Sequence, residues 1–245
     1  MGSSSTRASH PDGYANGRAT RSSIVQAAGT HFAIKGFNAA TVRDIAAAVG
    51  ISRAGLLRHF PSKENLLQAV LEDRDVRDRE HFRPYARIRG GVGILQGMID
   101  LAKRNEQTPG MVDLFIRLST EAGDPSHPAH AYFRERYAGI RAGTTQTLRS
   151  AAAASYLRGD VAPGDAAARL TALMDGLQVQ WVLDPRQLMH PHVHQAVAEL
   201  LNDAGREALL QAAASAATWA PDQARSVTSR GPQHSDIVHG LVVAG

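Results

Sequence analysis

The chain has 245 residues, of which 43% are hydrophobic and 20% charged, and this composition predicts one or two globular domains rather than a disordered chain. It contains no cysteine, which excludes a disulfide scaffold, a thiolate metal site and a cysteine nucleophile. Residues 1–63 carry eight basic and two acidic side chains, whereas residues 64–245 carry 19 basic and 21 acidic ones, so the first quarter predicts a polyanion-binding module unless the charges cluster by chance.

The N-terminal segment, residues 1–17, reads MGSSSTRASHPDGYANG and is rich in Ser, Gly and Asn. This composition predicts a disordered arm, and it lacks the apolar region of a secretory signal. No apolar run in the chain approaches the roughly 18 residues needed to span a bilayer. We therefore expect a soluble, cytoplasmic protein that makes no membrane contact.

The first third of the chain predicts four helices. The first covers residues 21–35 and ends at Gly36. The fourth begins after Ser62, which is a good N-cap residue. Its far end, Glu72–Glu80, mixes both signs of charge, which is typical of a solvated helix face.

Helices two and three are short and close together. Thr41 is a good N-cap, and Asp44 lies three residues later, where it can complete a capping box. Gly50 supplies a left-handed residue that ends helix two, Ser52 caps helix three, and Pro61 stops it. Two short helices across a turn that contains glycine predict a helix-turn-helix.

The rest of the chain also reads as helices. Pro84 and a cluster of glycines at residues 90–93 separate it from the first block. Apolar periodicity predicts helices over residues 92–107, 111–121, 129–157, 165–183 and 194–217. The polar sequence after Pro221 predicts a loose tail, and no segment alternates with the period of a strand. The predicted fold class is all-α.

Residues 21–70 resemble the DNA-binding domain of the TetR family of bacterial transcriptional regulators. The resemblance covers about a fifth of the chain, and the remainder matches only in its helical architecture. It rests on Gly36-Phe37, Thr41-x-x-x-Ile45-Ala46, Val49-Gly50-Ile51-Ser52, Gly55-Leu56-x-x-His59-Phe60 and Ser62-Lys63-Glu64-x-Leu66-Leu67, all in register. It implies a homodimer that binds double-stranded operator DNA of palindromic sequence and is released, as a repressor, by a small-molecule effector.

The resemblance also divides the chain into regions. After the arm at 1–17, residues 18–78 form the N-terminal helix-turn-helix domain, with the motif itself at 41–60. Helix four joins it to an α-helical effector-binding and dimerisation domain at 79–220, and residues 221–245 form the tail.

Helix ends and side-chain chemistry assign roles on DNA within this resemblance. The helix that begins at Thr41 can hold a phosphate at its N-terminal N–H groups, and Arg43 adds a charged contact. Arg53 opens the recognition helix and is the best candidate for bidentate readout of guanine. Gly55 allows close approach of the backbone to DNA, although glycine also weakens a helix. The predicted DNA-binding residues are Thr41, Arg43, Ser52, Arg53, Ala54, Gly55, Leu57, Arg58, His59 and Lys63.

One position departs from the family pattern. The family usually has tyrosine directly after the recognition-helix Leu56, where this chain has Leu57. Leu57 loses a hydroxyl contact to phosphate but can pack on a thymine methyl group, and Arg58 can restore the attraction to the backbone. His59 and Lys63 match family positions that contact phosphates.

An effector cavity is expected between the helices at 92–107 and 129–157. Its predicted lining is mostly large and apolar, with Gln178 and the Tyr137 hydroxyl available to orient a ligand. A shift of helix four is the predicted lever by which the ligand lowers operator affinity. The predicted lining residues are Met98, Phe115, Leu118, Phe133, Tyr137, Met174, Leu177, Gln178 and Trp181.

The dimer surface is expected on the helices at 165–183 and 194–217. Their small side chains permit close helix approach in a four-helix interface, although the same residues could pack within one subunit. They include Ala168, Ala172, Gly176, Ala196 and Ala204.

The alternative is an all-α enzyme or metal-binding protein with an incidental helix-turn-helix. Its best support is the alternation of His190, His192 and His194, which could meet one metal ion only in an extended segment. The glycines at 91, 93 and 97 have the wrong spacing for a dinucleotide loop, and the common hydrolase, metalloprotease and nucleotide-binding signatures are missing. We therefore predict no catalytic residue, no metal site and no cofactor.

Overall fold

The computed structural model describes residues 11–228, and it describes side chains from residue 17 to residue 218. These residues form an all-α fold, as predicted, and their one extended pairing is an isolated antiparallel bridge between Leu157 and Leu201. The helices are α1 (Pro11–Ala39), α2 (Val42–Ala48), α3 (Arg53–His59), α4 (Lys63–Tyr85), α5 (Val92–Asn105), α6 (Pro109–Glu121), α7 (His130–Ala153), α8 (Pro163–Leu183), α9 (His190–Leu200) and α10 (Asp203–Thr228).

Both ends of the described chain are more helical than the sequence predicts. The prediction of disorder over residues 1–17 is wrong for residues 11–17, which belong to α1, and residues 1–10 lie outside the described part. Proline suits the first turn of a helix, which explains a start at Pro11. The predicted tail is wrong for residues 221–228, because α10 runs through Pro221 to Thr228. Residues 229–245 lie outside the described part.

The helix predicted over residues 194–217 is two helices in the structure. α9 already begins at His190, and it ends at Leu200. Asn202 then caps α10, because its Oδ1 accepts a hydrogen bond from the Gly205 N–H at 2.9 Å. The Asn202 amide also donates to the Ser155 carbonyl at 2.8 Å, so the break is held by a loop that is distant in sequence.

The buried side chains form two hydrophobic clusters. The first contains residues of all four helices from α1 through α4, together with Leu114, Phe115 and Leu118 of α6 and Phe133 of α7. The second joins α5 with α8, α9 and α10. The predicted domain boundary at residue 78 lies within α4, and α6 packs against α1. The DNA-binding and effector parts therefore share a core along α4 and α6.

Glycines lie before α5 and within it, and one of them lets α5 pack close to α4. Gly91 has φ +73° at the N-cap of α5, so these glycines mark the start of a helix. A Cβ atom on Gly97 would lie 2.9 Å from the Phe82 ring of α4, which only glycine avoids without a shift. Among the described residues, none of the helices combines the length and apolar character needed to cross a lipid bilayer.

Candidate DNA-binding surface and effector cavity

The predicted helix-turn-helix is present with its local hydrogen bonds. The Thr41 hydroxyl accepts from the Asp44 N–H at 3.1 Å, and the Ser52 hydroxyl accepts from the Gly55 N–H at 3.0 Å. Gly50 has φ +70° in the turn between the two helices. The Asp44 carboxylate pairs with Lys35 at 3.1 Å, and this hydrogen bond lowers the pKa of Asp44.

The outer face of α3 is exposed and basic. Its inner face is held by Leu56, which is fully buried in the first cluster. Arg53 and Arg58 are exposed and make no ion pair with any residue in the part of the chain whose side chains are described. Leu57 is half-buried beside them. These side chains can therefore meet a DNA groove without breaking existing contacts.

The other predicted DNA contacts surround this face. Thr41 and Arg43 are exposed at the start of α2, and His59 is half-buried at the end of α3. Lys63 is placed differently, because its Nζ donates to the carbonyls of Phe37, at 2.9 Å, and of Asn38 and Ala40. It ties the start of α4 to the end of α1, and its phosphate contact stays a prediction.

A cavity of about 1130 Å³ lies between α4, α5, α6, α7 and α8. Three of the nine predicted lining residues are not in its wall. Leu118 faces the first hydrophobic cluster, while Leu177 and Trp181 pack into the second. Trp181 lies beyond the cavity along α8, in the cluster that holds α9. The six predicted residues in the wall are Met98, Phe115, Phe133, Tyr137, Met174 and Gln178.

The sequence prediction missed the charged part of this wall. The segment Glu72–Glu80 is not wholly solvated, since Asp78 is only 8% exposed and Arg74 is largely buried. Asp78 accepts hydrogen bonds from Arg104 of α5 at 2.6 Å and from Arg136 of α7 at 3.0 Å. Arg136 also donates to Asp75. The spacing of residues 74, 75 and 78 places them on one side of α4, but nothing local in the sequence indicates their distant partners.

Two guanidinium groups share one aromatic ring in the cavity wall. The Cζ atom of Arg74 lies 3.6 Å from the centre of the Phe115 ring, and that of Arg136 lies 5.7 Å from it. Burial lowers the pKa of Arg74, and burial together with the Arg74 charge lowers the pKa of Arg136 to about 10. Burial raises the pKa of Asp175, and its interaction with Tyr137 of α7 partly opposes this increase.

The alternating histidines, His190, His192 and His194, lie on a helix, and one of them already contacts a carboxylate. His190 begins α9, so the three histidines do not lie on an extended segment that could converge on one metal ion. The Glu106 carboxylate accepts from the backbone N–H groups of Met189 and His190, at 2.6 and 2.9 Å, and contacts the His190 ring. Within the described residues there is no group of three potential ligands that could hold a metal ion.

An exposed, basic recognition helix connected by α4 to a cavity defines a DNA-binding transcriptional regulator. The chain belongs to the TetR family, as the sequence predicts. A family model described as bacterial regulatory proteins, tetR family, matches residues 24–70. A second, described as BetI-type transcriptional repressor, C-terminal, matches residues 105–206.

Relatives and solved structures agree with this assignment. The chain is 28% identical over 172 residues to the HTH-type transcriptional repressor Rv1474c of Mycobacterium tuberculosis, which covers 69% of this chain and 87% of that protein. It is 43% identical over 63 residues to the repressor KstR2 of Mycolicibacterium smegmatis, covering 26% of this chain and 31% of that one.

Two crystal structures have the same fold. A TetR transcription regulator from Haloarcula marismortui matches with a TM-score of 0.67 and 17% identity, covering 76% of this chain and all of the other. A transcriptional regulator from Saccharomonospora viridis in complex with choline matches with a TM-score of 0.63 and 22% identity, covering 76% and 99%.

Proposed function

We propose that this protein is a repressor that binds a palindromic operator as a homodimer and leaves it when a small molecule enters the cavity. The observation that carries the proposal is Arg53, which stands exposed and unpaired with any described residue in the first turn of a capped recognition helix. The first turn of such a helix is the part that meets base edges in the major groove. The curated relatives are named as repressors, which supports the direction of regulation.

Five residues of the motif receive a role in this proposal. Arg53 reads a guanine, and Leu57 packs against a thymine methyl group. Thr41, Arg43 and Arg58 bind phosphates, which holds the helix in register without specifying sequence.

Dimerisation uses the outer faces of α8 and α10. Large apolar side chains are exposed there, including Leu183 at 81% and Leu210 at 62%. Pairing these faces in two copies removes apolar surface from water. Two copies must also reach successive major grooves, about 34–36 Å apart or a further helical turn away, to recognise two half-sites.

α4 carries the effect of the ligand to DNA. Its first half lies in the core of the DNA-binding part, through Leu66 and Val70. Its second half is bound to α5 and α7 through Asp75 and Asp78. A ligand that binds better when these contacts are rearranged shifts α4 and changes the distance between the two recognition helices. By linkage, operator DNA must weaken ligand binding by the same factor.

The chemistry of the wall bears on the kind of effector. The Saccharomonospora regulator holds choline, a quaternary ammonium ion. In this chain the Arg74 guanidinium already covers one aromatic ring of the wall, Phe115, and would repel a second cation there. We therefore do not extend choline to this chain.

The experiment is selection of operators from random duplex DNA, followed by a binding series with single-base variants. Arg53→Ala should lose about 1–3 kcal/mol at one base position and relax preference there, whereas Thr41→Ala should weaken all sequences about equally. Arg117→Ala is the control, since this exposed side chain pairs with Asp113 on α6. Unchanged base preference in Arg53→Ala would remove its role in readout.

A further inference from the structure

Arg74 is a buried cation with spare hydrogen-bonding capacity in the cavity wall. Its side chain is 12% exposed, and its Nη1 is buried without a hydrogen-bond partner among the described residues. Its nearest carboxylate oxygen, on Asp78, is 3.9 Å from Nε, which is too far for a hydrogen bond. Burying a charged donor without a hydrogen-bond partner costs free energy. A ligand that accepts a hydrogen bond from this donor removes that cost and is bound more tightly.

The acidic groups nearby do not balance the basic ones. Asp78 is shared by Arg74, Arg104 and Arg136, and Asp75 contacts only the last of these. Three guanidinium groups therefore meet two carboxylates in one partly buried cluster. Asp175 is a further acid in the wall and interacts with Tyr137 and Arg136, but burial raises its pKa and so favours its neutral form.

The remainder of the wall is mainly apolar. Beside the arginines it includes Phe82, Ile94, Met98, Leu101, Phe133 and Met174. A volume of about 1130 Å³ accommodates a ligand larger than a simple inorganic anion. The ligand that fits both parts carries one negative charge at one end of an apolar body.

We propose that the cavity binds an amphipathic carboxylate, with the carboxylate on Arg74 and Arg136 and the apolar body along α5 and α8. Arg74 and Arg136 both line the cavity, and a planar guanidinium matches a carboxylate in geometry.

The same placement explains how the ligand acts, and this part rests on the proposed function. A carboxylate beside Arg136 competes with Asp75 and Asp78 for the same donors. Both aspartates are on α4, so binding weakens the attachment of α4 to α7. The ligand thereby favours the rearranged position of α4 that fits the operator less well.

The test uses the full chain and three probes with one apolar body: decanoate, decanol and decyltrimethylammonium. Calorimetry without DNA should give decanoate an affinity at least about tenfold higher than that of decanol, because a charge-assisted hydrogen bond is gained. Decyltrimethylammonium should bind more weakly than decanol. Equal affinities for decanoate and decanol, preference for the cation, or no binding of decanoate at millimolar concentration would each overturn the proposal.

Arg74→Met should lose the preference for decanoate over decanol while retaining decanol binding. The control, Arg77→Met, removes an exposed arginine of the same helix that pairs with Asp73 and should leave the preference intact. Loss of preference in both variants, or in neither, would count against the site. If Arg74→Met does not fold, Arg74→Lys keeps the charge without the planar fork and should show a reduced preference.

Operator binding is measured separately with the selected DNA. Decanoate that binds through Arg74 but leaves operator affinity unchanged would establish the anion site and refute effector-driven release. Release by decanol and decanoate alike, with equal affinities, would support the release mechanism and refute the anion site.

Discussion

Replacing Asp78 by asparagine tests whether the ion cluster holds α4 in place. Asp78 is 8% exposed and accepts hydrogen bonds from Arg104 and Arg136 at 2.6 and 3.0 Å. Asparagine has the same shape but no charge, so Asp78→Asn leaves these guanidinium groups with a weaker acceptor. Removing one partner of a buried ion pair costs about 3–5 kcal/mol, because the remaining charge is uncompensated.

The structure places the expected cost at the lower end of that range. The Arg104 side chain is 38% exposed and can turn toward water, and Arg136 retains its hydrogen bond to Asp75. We therefore expect a loss of about 3 kcal/mol in the free energy of unfolding. For a chain of this size, this corresponds to a fall of about 6–12 °C in melting temperature.

The assay is urea unfolding at one fixed protein concentration, because the proposed dimerisation would make stability depend on concentration. Asp73→Asn is the matched control on α4, since its pair with Arg77 is 2.8 Å long but exposed and should contribute less than about 1 kcal/mol. If Asp78→Asn were no less stable than Asp73→Asn, the cluster would not hold α4, and the proposed lever would lose its basis.

Three other contacts lead to measurable predictions. Burial lowers the pKa of His81 below 6.5, so the unfolded chain takes up a proton at a higher pH than the folded chain does. The free energy of unfolding, measured with urea, should therefore fall as the pH drops below about 6.5 and level off below the lowered pKa. This fall should be smaller in His81→Gln. Leu183→Glu should give a monomer in sedimentation, whereas Val76→Glu, at an exposed site on α4, should leave the dimer intact. A dimeric Leu183→Glu variant would exclude this part of α8 from the interface. Glu106→Gln should lower the free energy of unfolding by about 1–2 kcal/mol because its charge caps α9, whereas the exposed Glu199→Gln should change it little, and equal losses would contradict the cap.

The recognition motif is predictable from sequence because its signals are local. The caps at Thr41 and Ser52 join atoms three residues apart, and the left-handed turn at Gly50 depends on that residue alone. The break at Asn202 also has a local cap, on the Gly205 N–H three residues later, but the apolar period of a helix continues through it. The second hydrogen bond that fixes this break, to the Ser155 carbonyl 47 residues away, has no signal in the local sequence.

The sequence by itself determined the helical fold class, the family and the exposed basic helix, since each depends on short-range hydrogen bonds or on the spacing of apolar residues within one helix. Only the tertiary structure decided which faces of distant helices meet. It turned Leu118 and Trp181 away from the cavity and brought Arg74 and Asp78 of α4 to Arg136 of α7. A run of mixed charges has the same local pattern on a solvated face as in a cavity wall, because the difference is made by a residue 58 positions away.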